Sequence, residues 1–328
     1  MACGLIEYSK ILVDNGITML AVSTAEEAIE LKNAKLDVDV LLIGSNSIKS
    51  EVKELIEKDV ILTIGSKEAA IVANELAQNK KARVHVKIDT GFGRYGFVYN
   101  EIEQIKHIYT DYPNLCIEGT FSHFAQAYEK KLKVTQLQFD RFISVIETLK
   151  NNKINPGMLH ICNSTAFLKY PNMHLNAARI GSAFLGGVFG QNNLGLKRIG
   201  SMESKIVEIK DIPKGYNIGY SGTEKTKRPS RIAVVPVGYG DGFSVSASND
   251  MFRFVDRLRN LKHSIEELLK KGKLTVKVND KTCKVLGQVG MCHTTVDVTD
   301  IDAKIGDTVT FDINPLYIKE TVRREYRE

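Results

Sequence analysis

A glycine-rich turn is the first feature of this sequence that could carry out chemistry. Residues Gly91 to Gly96 spell G-x-G-x-x-G directly after the predicted strand Arg83–Asp89, a pattern found where a dinucleotide binds at the start of a helix. Such a site needs bare backbone against the pyrophosphate, whereas Phe92, Arg94 and Tyr95 crowd this turn. We therefore do not predict a dinucleotide here.

A second group with chemical potential consists of Ser164 and the pair Gly181-Ser182, which stand at the predicted ends of the last two strands in the first half of the chain. Hydroxyl groups and free backbone N–H groups bind phosphate, and (β/α) barrels hold phosphate in the loops after their last two strands. Either position alone could simply end a strand. Together their hydroxyl and backbone N–H groups would suit a phosphate.

The elements that would position these residues alternate between strands and helices. Seven β-branched runs alternate with amphipathic segments, which predicts a (β/α) barrel or a doubly wound sheet, although a closed barrel needs about eight strands. The predicted strands are Thr18–Val22, Val40–Gly44, Val60–Ile64, Arg83–Asp89, Cys116–His123, Met158–Ser164 and Leu175–Gly181. The predicted helices are Thr24–Asn33, Ser50–Lys58, Lys67–Gln78, Asn100–Tyr112 and Thr135–Asn151.

After about residue 197 the pattern changes to strands without intervening helices. Turn signals such as Pro213-Lys214-Gly215 and Asn279-Asp280 separate them, which predicts an antiparallel domain. The predicted strands are Ser201–Ile212, Arg231–Tyr239, Lys273–Lys284, Thr294–Thr299 and Asp307–Phe311. One helical stretch, Asp250–Lys271, interrupts them.

Composition excludes several classes of function. The chain has 328 residues, 43% of them hydrophobic, and a formal net charge of +6. Its basic residues are scattered among acidic ones, so we expect neither nucleic-acid nor membrane binding. The five cysteines contain no C-x-x-C pair, so we expect no metal site and a reducing, cytoplasmic compartment.

Seven short motifs, in order along nearly the whole chain, resemble those of alanine racemases, which are fold-type III pyridoxal-phosphate enzymes. The motif from Lys87 to Phe97 is similar to their K-x-D-T-G-x-x-R-x-G-F. The other six are Phe121–Ala125, His160–Ser164, Arg179–Gly181, Gly219–Thr223, Val237–Gly242 and Gly287–Met291. No single motif is specific, but their shared order is.

The resemblance implies a TIM-type (β/α)8 barrel over residues 1–197 that binds pyridoxal 5′-phosphate and lacks its first strand. A mainly β C-terminal domain over residues 198–328 would complete the active site of the partner subunit in a homodimer. The implied cofactor-binding residues are His160, Asn163, Ser164, Arg179, Gly181, Ser182 and Tyr317.

The same resemblance implies roles in catalysis and substrate binding. Tyr220 would act as an acid/base group on one face of the substrate, assisted by His123 and Arg179. Arg94 would bind the substrate carboxylate, and Lys87 is the candidate for a carbamylated lysine that holds Arg94 in place. The implied pocket walls are Met291 and Tyr239.

The sequence departs from the family at its beginning. Ala2-Cys3-Gly4-Leu5 resembles the end of the K-x-N-x-Y-G-x-G motif that carries the cofactor lysine. We therefore expect that lysine and the first strand to precede Met1. Lys10 is the nearest lysine, but we expect it to lie in the following helix and to point away from the site.

The resemblance predicts racemisation of L-alanine to D-alanine, which supplies D-alanine for the cell wall. Racemisation of serine, lysine or ornithine is an alternative, because Cys292 replaces the usual aspartate after Met291 near the pocket wall. A second alternative is a catalytically silent relative, or a truncated gene model. A decarboxylase of this fold type fits less well, because Tyr220 and Met291 belong to the racemase motifs.

Overall fold

The chain folds as two units, one formed by Leu5–Ile199 and the other built mainly from Gly200–Glu328. The computed structural model describes residues 4–78, 80–129, 132–187, 195–222, 224–245, 274–319 and 321–327, together with Leu258, Leu261, Lys262 and Ile265. Among these residues, no helix combines the length and the apolar character needed to cross a bilayer.

The first unit contains a parallel sheet whose strands follow the order of the chain. The main path is β1-β2-β3-β4-β6-β7-β8, and β5 pairs with β4 beside it. The strands are β1 Met19–Val22, β2 Asp39–Ser45, β3 Ile61–Ile64, β4 Ala82–Asp89, β5 Phe97–Val98, β6 Leu115–Phe121, β7 Met158–Asn163 and β8 Ala177–Arg179. This sequential order is that of a barrel and not of a doubly wound sheet, so the prediction of seven strands of barrel type is confirmed.

Helices connect the strands and cover the sheet. They are α1 Leu5–Asp14, α2 Ala25–Asn33, α3 Lys49–Glu57, α4 Lys67–Ala77, α5 Ile102–Thr110, α6 Lys133–Asn151 and α7 Ser164–Lys169. Local sequence sets their starts: the Thr24 hydroxyl accepts from the Glu27 N–H, and the Ser66 hydroxyl accepts from the Ala69 N–H, as N-cap residues do. Apolar faces such as Val52, Leu55 and Ile56 of α3 pack into the core.

Charged residues close the amino ends of the strands. Arg83 at the start of β4 donates to Asp39 at 2.6 Å, to Glu118 at 2.7 Å and to Asp59 at 3.3 Å. The carboxylates of Asp39 and Glu118 raise the pKa of the guanidinium further above its usual range. The network ties β2, β4 and β6 together at this end, which leaves the carboxyl ends of the strands for a site.

The second unit is built on an antiparallel sheet with the strand order β10-β13-β16-β15-β14-β17-β9, beside the small pair β11-β12. The strands are β9 Met202–Lys205, β10 Glu208–Ile212, β11 Asn217–Ile218, β12 Glu224–Lys225, β13 Ser230–Val235, β14 Thr275–Val278, β15 Lys281–Leu286, β16 Thr294–Asp297 and β17 Thr308–Phe311. Its core contains Val235, Val296 and Phe311. The predicted mainly β C-terminal domain is confirmed.

Three predicted strands need correction. Ser201–Ile212 is two strands, because the chain leaves β17 and joins β13 at Ile206–Val207. Lys273–Lys284 is the hairpin β14-β15, which turns at Asn279-Asp280 with both residues at positive φ. The strand predicted over Arg231–Tyr239 ends at Val235, and Tyr239 begins a 3₁₀ turn.

The predicted helix Asp250–Lys271 lies almost entirely outside the described residues. Within it the structure describes Leu258, Leu261, Lys262 and Ile265, and each of these positions is helical.

Candidate active site

The polar residues of the first unit meet at the carboxyl ends of its strands. Lys87 lies near the end of β4, His123 follows β6, Ser164 follows β7 and Arg179 ends β8. Because parallel strands end at one edge of the sheet, residues far apart in sequence become neighbours. A cleft at this edge is lined by Lys87, Asp89, Phe92, Arg94, Ser122 and His123.

Arg179 is the centre of this group. Its guanidinium donates to the His160 Nδ1 at 2.5 Å, to the Ser122 carbonyl at 2.6 Å and to the His123 Nδ1 at 3.0 Å. Burial, together with repulsion by Arg94, lowers the pKa of Arg179 to about 10. It therefore stays charged at neutral pH, and its donors are fixed in direction by β6 and β7.

Both histidines beside Arg179 are neutral at neutral pH. Burial and then the charge of Arg179 lower the pKa of His123 to about 3 and that of His160 well below its usual value. A guanidinium can only donate, so each Nδ1 must accept and each Nε2 must carry the proton. Arg179 thereby selects the tautomer of His123 and leaves its Nε2–H as a donor.

Lys87 and Arg94 bring further positive charge to the cleft. Lys87 is buried, its ammonium lies about 5 Å from the rings of Phe121 and Tyr95, and its pKa is lowered to about 8 by burial, Arg94 and Arg179. Arg94 is exposed and lies 4.3 Å from the ring of Phe92. The cleft can therefore attract an anion.

Asp89 holds the turn that carries Arg94. Its carboxylate accepts from the N–H groups of Gly91 and Phe92 at 2.8 Å and of Gly93 at 2.9 Å. The turn leads into the strand β5 and not into a helix, which confirms the rejection of a dinucleotide fingerprint. Its glycines serve a carboxylate-capped turn.

The predicted phosphate residues form a small cradle. The Ser164 hydroxyl accepts from the N–H groups of Gly181 at 3.0 Å and Ala183 at 3.3 Å, and a Cβ added at Gly181 would meet no atom within 4 Å. Gly181 and Ser182 are exposed at the start of a 3₁₀ turn. The Ser164 O–H, which these two bonds leave as a donor, the exposed Ser182 and the open space beside Gly181 fit a phosphate group.

Asn163 differs from its neighbours, because both ends of its amide are engaged within the protein. Its Oδ1 accepts from the Ala166 N–H at 3.0 Å, and its Nδ2 donates to the Phe124 carbonyl at 3.3 Å. It therefore caps α7, a helix that the sequence analysis missed, and ties it to the loop after β6. Its binding to the cofactor stays a prediction.

The predicted residues of the second unit also come together. The N–H groups of Tyr239 and Gly240 donate to the carbonyls of Gly290 and Met291, and the ring of Tyr220 lies 3.9 Å from the Cβ position of Gly290. The carbonyl of Tyr317 lies against Gly242, which leaves no room there for a side chain. Tyr220 is 70% exposed, Met291 61% and Tyr239 51%.

Four buried polar residues of the site, Gln138, Ser122, Thr90 and His85, were not predicted from the sequence. The Gln138 amide donates to the His123 carbonyl, Ser122 bonds to Thr90, and the His85 ring contacts that of His160. A signal for His85 exists: on β4, His85, Lys87 and Asp89 alternate with Val84, Val86 and Ile88. This period of two places the three polar side chains on one face.

Comparisons with known proteins agree across both units. Residues 2–188 match the family described as "Alanine racemase, N-terminal domain", and residues 199–319 match "Alanine racemase, C-terminal domain". An alanine racemase of Clostridium tetani is 35% identical over 93% of this chain and 75% of its own length. One from Methanococcus maripaludis is 31% identical over 94% of this chain and 78% of its own length.

Solved structures support the same conclusion. An alanine racemase of Clostridium difficile 630 superposes with a TM-score of 0.81 at 27% identity, covering 95% of this chain and 77% of its own. One from E. faecalis has a TM-score of 0.81 at 26% identity, covering 99% and 89%. The motifs, the arrangement of their residues and these matches agree, and the chain belongs to the alanine racemase family.

Proposed function

We propose that this protein is a pyridoxal 5′-phosphate-dependent alanine racemase that interconverts L-alanine and D-alanine. The observation that carries the proposal is the position of Arg179, which is held by two neutral histidines beside the Ser164–Gly181 cradle. The family to which the chain belongs supports this reading. The free thiols of Cys116, Cys162, Cys283 and Cys292 favour a reducing, cytoplasmic location.

The residues of the first unit fit the cofactor. Ser164, Gly181 and Ser182 would hold its phosphate, and Arg179 and His160 would lie at its ring, with Tyr317 as a further phosphate ligand from the second unit. When bound, pyridoxal phosphate supplies an electron sink for the charge left at the substrate Cα. Arg179 would donate a hydrogen bond to the ring nitrogen without transferring its proton, because its pKa of about 10 keeps the guanidinium charged.

Arg94 would bind the substrate carboxylate. A planar guanidinium can donate two parallel hydrogen bonds to a carboxylate, and Arg94 is exposed at the cleft with its orientation guided by the ring of Phe92. The capped turn after Asp89 limits the movement of its backbone. Orientation of the substrate at this point fixes which bond at Cα faces the acid/base groups.

Tyr220 would remove or return a proton on one face of the substrate. A phenol has a pKa near about 10 and needs a donor to stabilise its charged form. Arg179 leaves the Nε2–H of His123 free for that task, since His123 Nδ1 accepts at 3.0 Å. Racemisation also requires a second acid/base group on the opposite face.

We also propose that a homodimer completes each site. Tyr220, Tyr239 and Met291 are large side chains exposed on the second unit. Exposed apolar side chains in a cluster are typical of surfaces that bind a partner. Each subunit would supply these residues to the barrel of its partner.

The test is the formation of D-alanine from L-alanine by the protein, expressed from its complete reading frame and supplied with pyridoxal phosphate. Tyr220→Phe is expected to lower kcat by about 10²–10⁴, the usual size of an acid/base contribution. Tyr216→Phe is the matched control, since Tyr216 is 55% exposed in the same unit. L-serine, L-lysine and L-ornithine are assayed in parallel. Turnover of one of these in place of alanine would correct the substrate, and no turnover of any would contradict the proposal.

A further inference from the structure

His85 is a fully buried histidine that the proposed mechanism does not use. It lies on β4 with 0% exposure, and its Nδ1 is 2.8 Å from the Nε2 of His160. Its other ring nitrogen, Nε2, is buried and has no hydrogen-bond partner among the described residues. A polar ring with one satisfied and one unsatisfied nitrogen in a core is costly, so its retention calls for a reason.

The hydrogen bonds fix the protonation pattern of both rings. Arg179 donates to the Nδ1 of His160, so the proton of His160 lies on Nε2. That Nε2–H must donate to the Nδ1 of His85. His85 is then the Nε2–H tautomer, and its unsatisfied nitrogen is a donor.

A protonated, charged His160 would not fit these hydrogen bonds. If His160 were protonated, its Nδ1–H would face the N–H of Arg179, donor against donor. Burial first, and then Arg179 and Arg83, lower the pKa of His85 to about 4. Both rings are therefore neutral when Arg179 is charged.

The space around His85 is shaped for this ring. A Cβ at Gly119 on β6 would lie 2.8 Å from the His85 Cε1 and 2.9 Å from its Nδ1. The neighbouring ring of His160 is stacked on Phe121, with the ring centroids 4.7 Å apart and the planes 5° from parallel. Phe121 thus packs against the face of the His160 ring, and His85 bonds to the Nε2 at its edge.

We propose that His85 is a positioning residue, which fixes the ring orientation of His160. This orientation keeps His160 Nδ1 at Arg179, so the tautomer of His160 and the direction of the Arg179 guanidinium depend on it. His85 acts only through His160 and contacts neither substrate nor cofactor. Without the acceptor on His85, the His160 ring can rotate by a half turn, which places its Cδ2 instead of its Nδ1 at Arg179. In the rotated ring Arg179 no longer determines which nitrogen carries the proton. The importance of Arg179 rests on the proposed function, whereas the tautomer of His160 does not.

The experiment compares His85→Leu, which removes the acceptor, with His85→Asn, whose side-chain oxygen can replace Nδ1 as the acceptor. Val86→Ala is the matched control, because Val86 is equally buried on the same strand and points to the other face. The tautomer of His160 is read from long-range ¹H–¹⁵N correlations in protein labelled at histidine, without cofactor or substrate. The affinity for pyridoxal phosphate is then measured by its absorbance.

We expect wild type, His85→Asn and Val86→Ala to show one Nε2–H tautomer of His160 that does not titrate between about pH 6 and about pH 8. His85→Leu should show mixed tautomers, and its affinity for pyridoxal phosphate should fall about tenfold, as for the loss of one hydrogen bond. An unchanged tautomer and affinity in His85→Leu would overturn the proposal, as would an Nδ1–H tautomer in wild type. If the tautomers behave as expected but no variant, wild type included, binds the cofactor, only the proposed function fails.

Discussion

At the scale of single residues, Lys87 has the clearest electrostatic consequence. Its pKa is lowered from 10.5 to about 8 by burial, Arg94 and Arg179, so the folded state disfavours its charged form. That cost to stability is fully present below about pH 8 and disappears as the pH rises through about 10.5. We therefore expect Lys87→Met to be more stable than wild type by up to about 3 kcal/mol at pH 7, with a difference that vanishes near pH 10.5.

The measurement is urea unfolding at several pH values in buffer free of carbon dioxide. Lys53→Met is the control, because Lys53 is 66% exposed and its loss should leave stability unchanged. A Lys87→Met protein that is less stable than wild type at every pH would show that the ammonium makes a favourable contact that outweighs its burial.

The same amine is expected to react with carbon dioxide. Carbamate formation needs a neutral amine, which the lowered pKa of Lys87 supplies, and the product would place a negative charge between Arg94 and Arg179. With ¹³C-bicarbonate, we expect a carbamate resonance in wild type at about pH 8 that Lys87→Met lacks. An identical spectrum in both proteins would assign the carbamate elsewhere.

The motifs that resemble those of the family predicted that Arg179, His123 and His160 share one site, and the structure brings these three residues together. The sequence could not show that the side-chain oxygen of Asn163 caps the start of α7. It also could not show that His85 contacts His160, since that bond joins residues 75 positions apart. Such contacts depend on the register of β4, β6 and β7, which no local pattern specifies.

At the scale of elements, the turn after β4 depends on the Asp89 carboxylate. In the wild type, Asp89 Oδ2 accepts from the Gly93 N–H at 2.9 Å. Asp89→Asn keeps one oxygen as an acceptor but places an NH₂ group against that N–H, so this hydrogen bond is lost. Loss of a charge-assisted hydrogen bond costs about 1.5–3 kcal/mol, so the turn that carries Arg94 should loosen. We expect the KM for alanine to rise about tenfold with a smaller change in kcat, because substrate anchoring is affected more than proton transfer.

Glu101→Gln provides the control for steady-state kinetics. Glu101 accepts from the Val98 N–H at 2.8 Å, so it is also a carboxylate that caps backbone, but it lies beyond the turn that carries Arg94. An equal effect of both substitutions on KM would mean that general loosening, and not the position of Arg94, sets substrate binding.

Most strands of the first unit were predictable because they are buried apolar runs followed by an amphipathic helix. An exception is β8, which is only half-buried and contains no β-branched residue. The strands of the second unit were harder to predict. No Gly or Pro interrupts Ser201–Ile212, yet the chain changes its partner strand within this segment. The Ile206 N–H donates to the Asp307 carbonyl, whereas the Val207 N–H donates to the Val234 carbonyl. The change of partner strand depends on β13 and β17, which lie elsewhere in the sequence, so periodicity within the segment could not reveal it.

At the scale of the whole molecule, buried neutral histidines predict loss of stability in mild acid. The pKa values of His85 and His123 are lowered to about 4 and about 3, so below about pH 6.5 the unfolded chain binds protons that the folded chain does not. Stability should fall by about 1.4 kcal/mol per pH unit for each such histidine. Calorimetric unfolding between about pH 5 and about pH 6.5 measures this slope above the carboxylate range.

His85→Asn should reduce that slope by the share of one histidine. His293→Gln is the control, because His293 is exposed. A change of slope as large as that in His85→Asn would show that burial is not the cause. Stability that does not depend on pH in this window would show that the folded protein takes up these protons without cost.

The proposed sharing of sites between subunits predicts complementation. Arg94→Ala impairs the first unit and Tyr220→Phe impairs the second, and both side chains are exposed, so neither change should prevent folding. If each site combines a barrel with the partner's second unit, exchange of subunits between equal amounts of the two proteins gives about half heterodimers, each with one intact site, and about a quarter of wild-type activity. A mixture of Tyr220→Phe with Met291→Ala should recover nothing, because both defects lie in the same unit. Recovery in neither mixture would mean that each subunit builds its site alone.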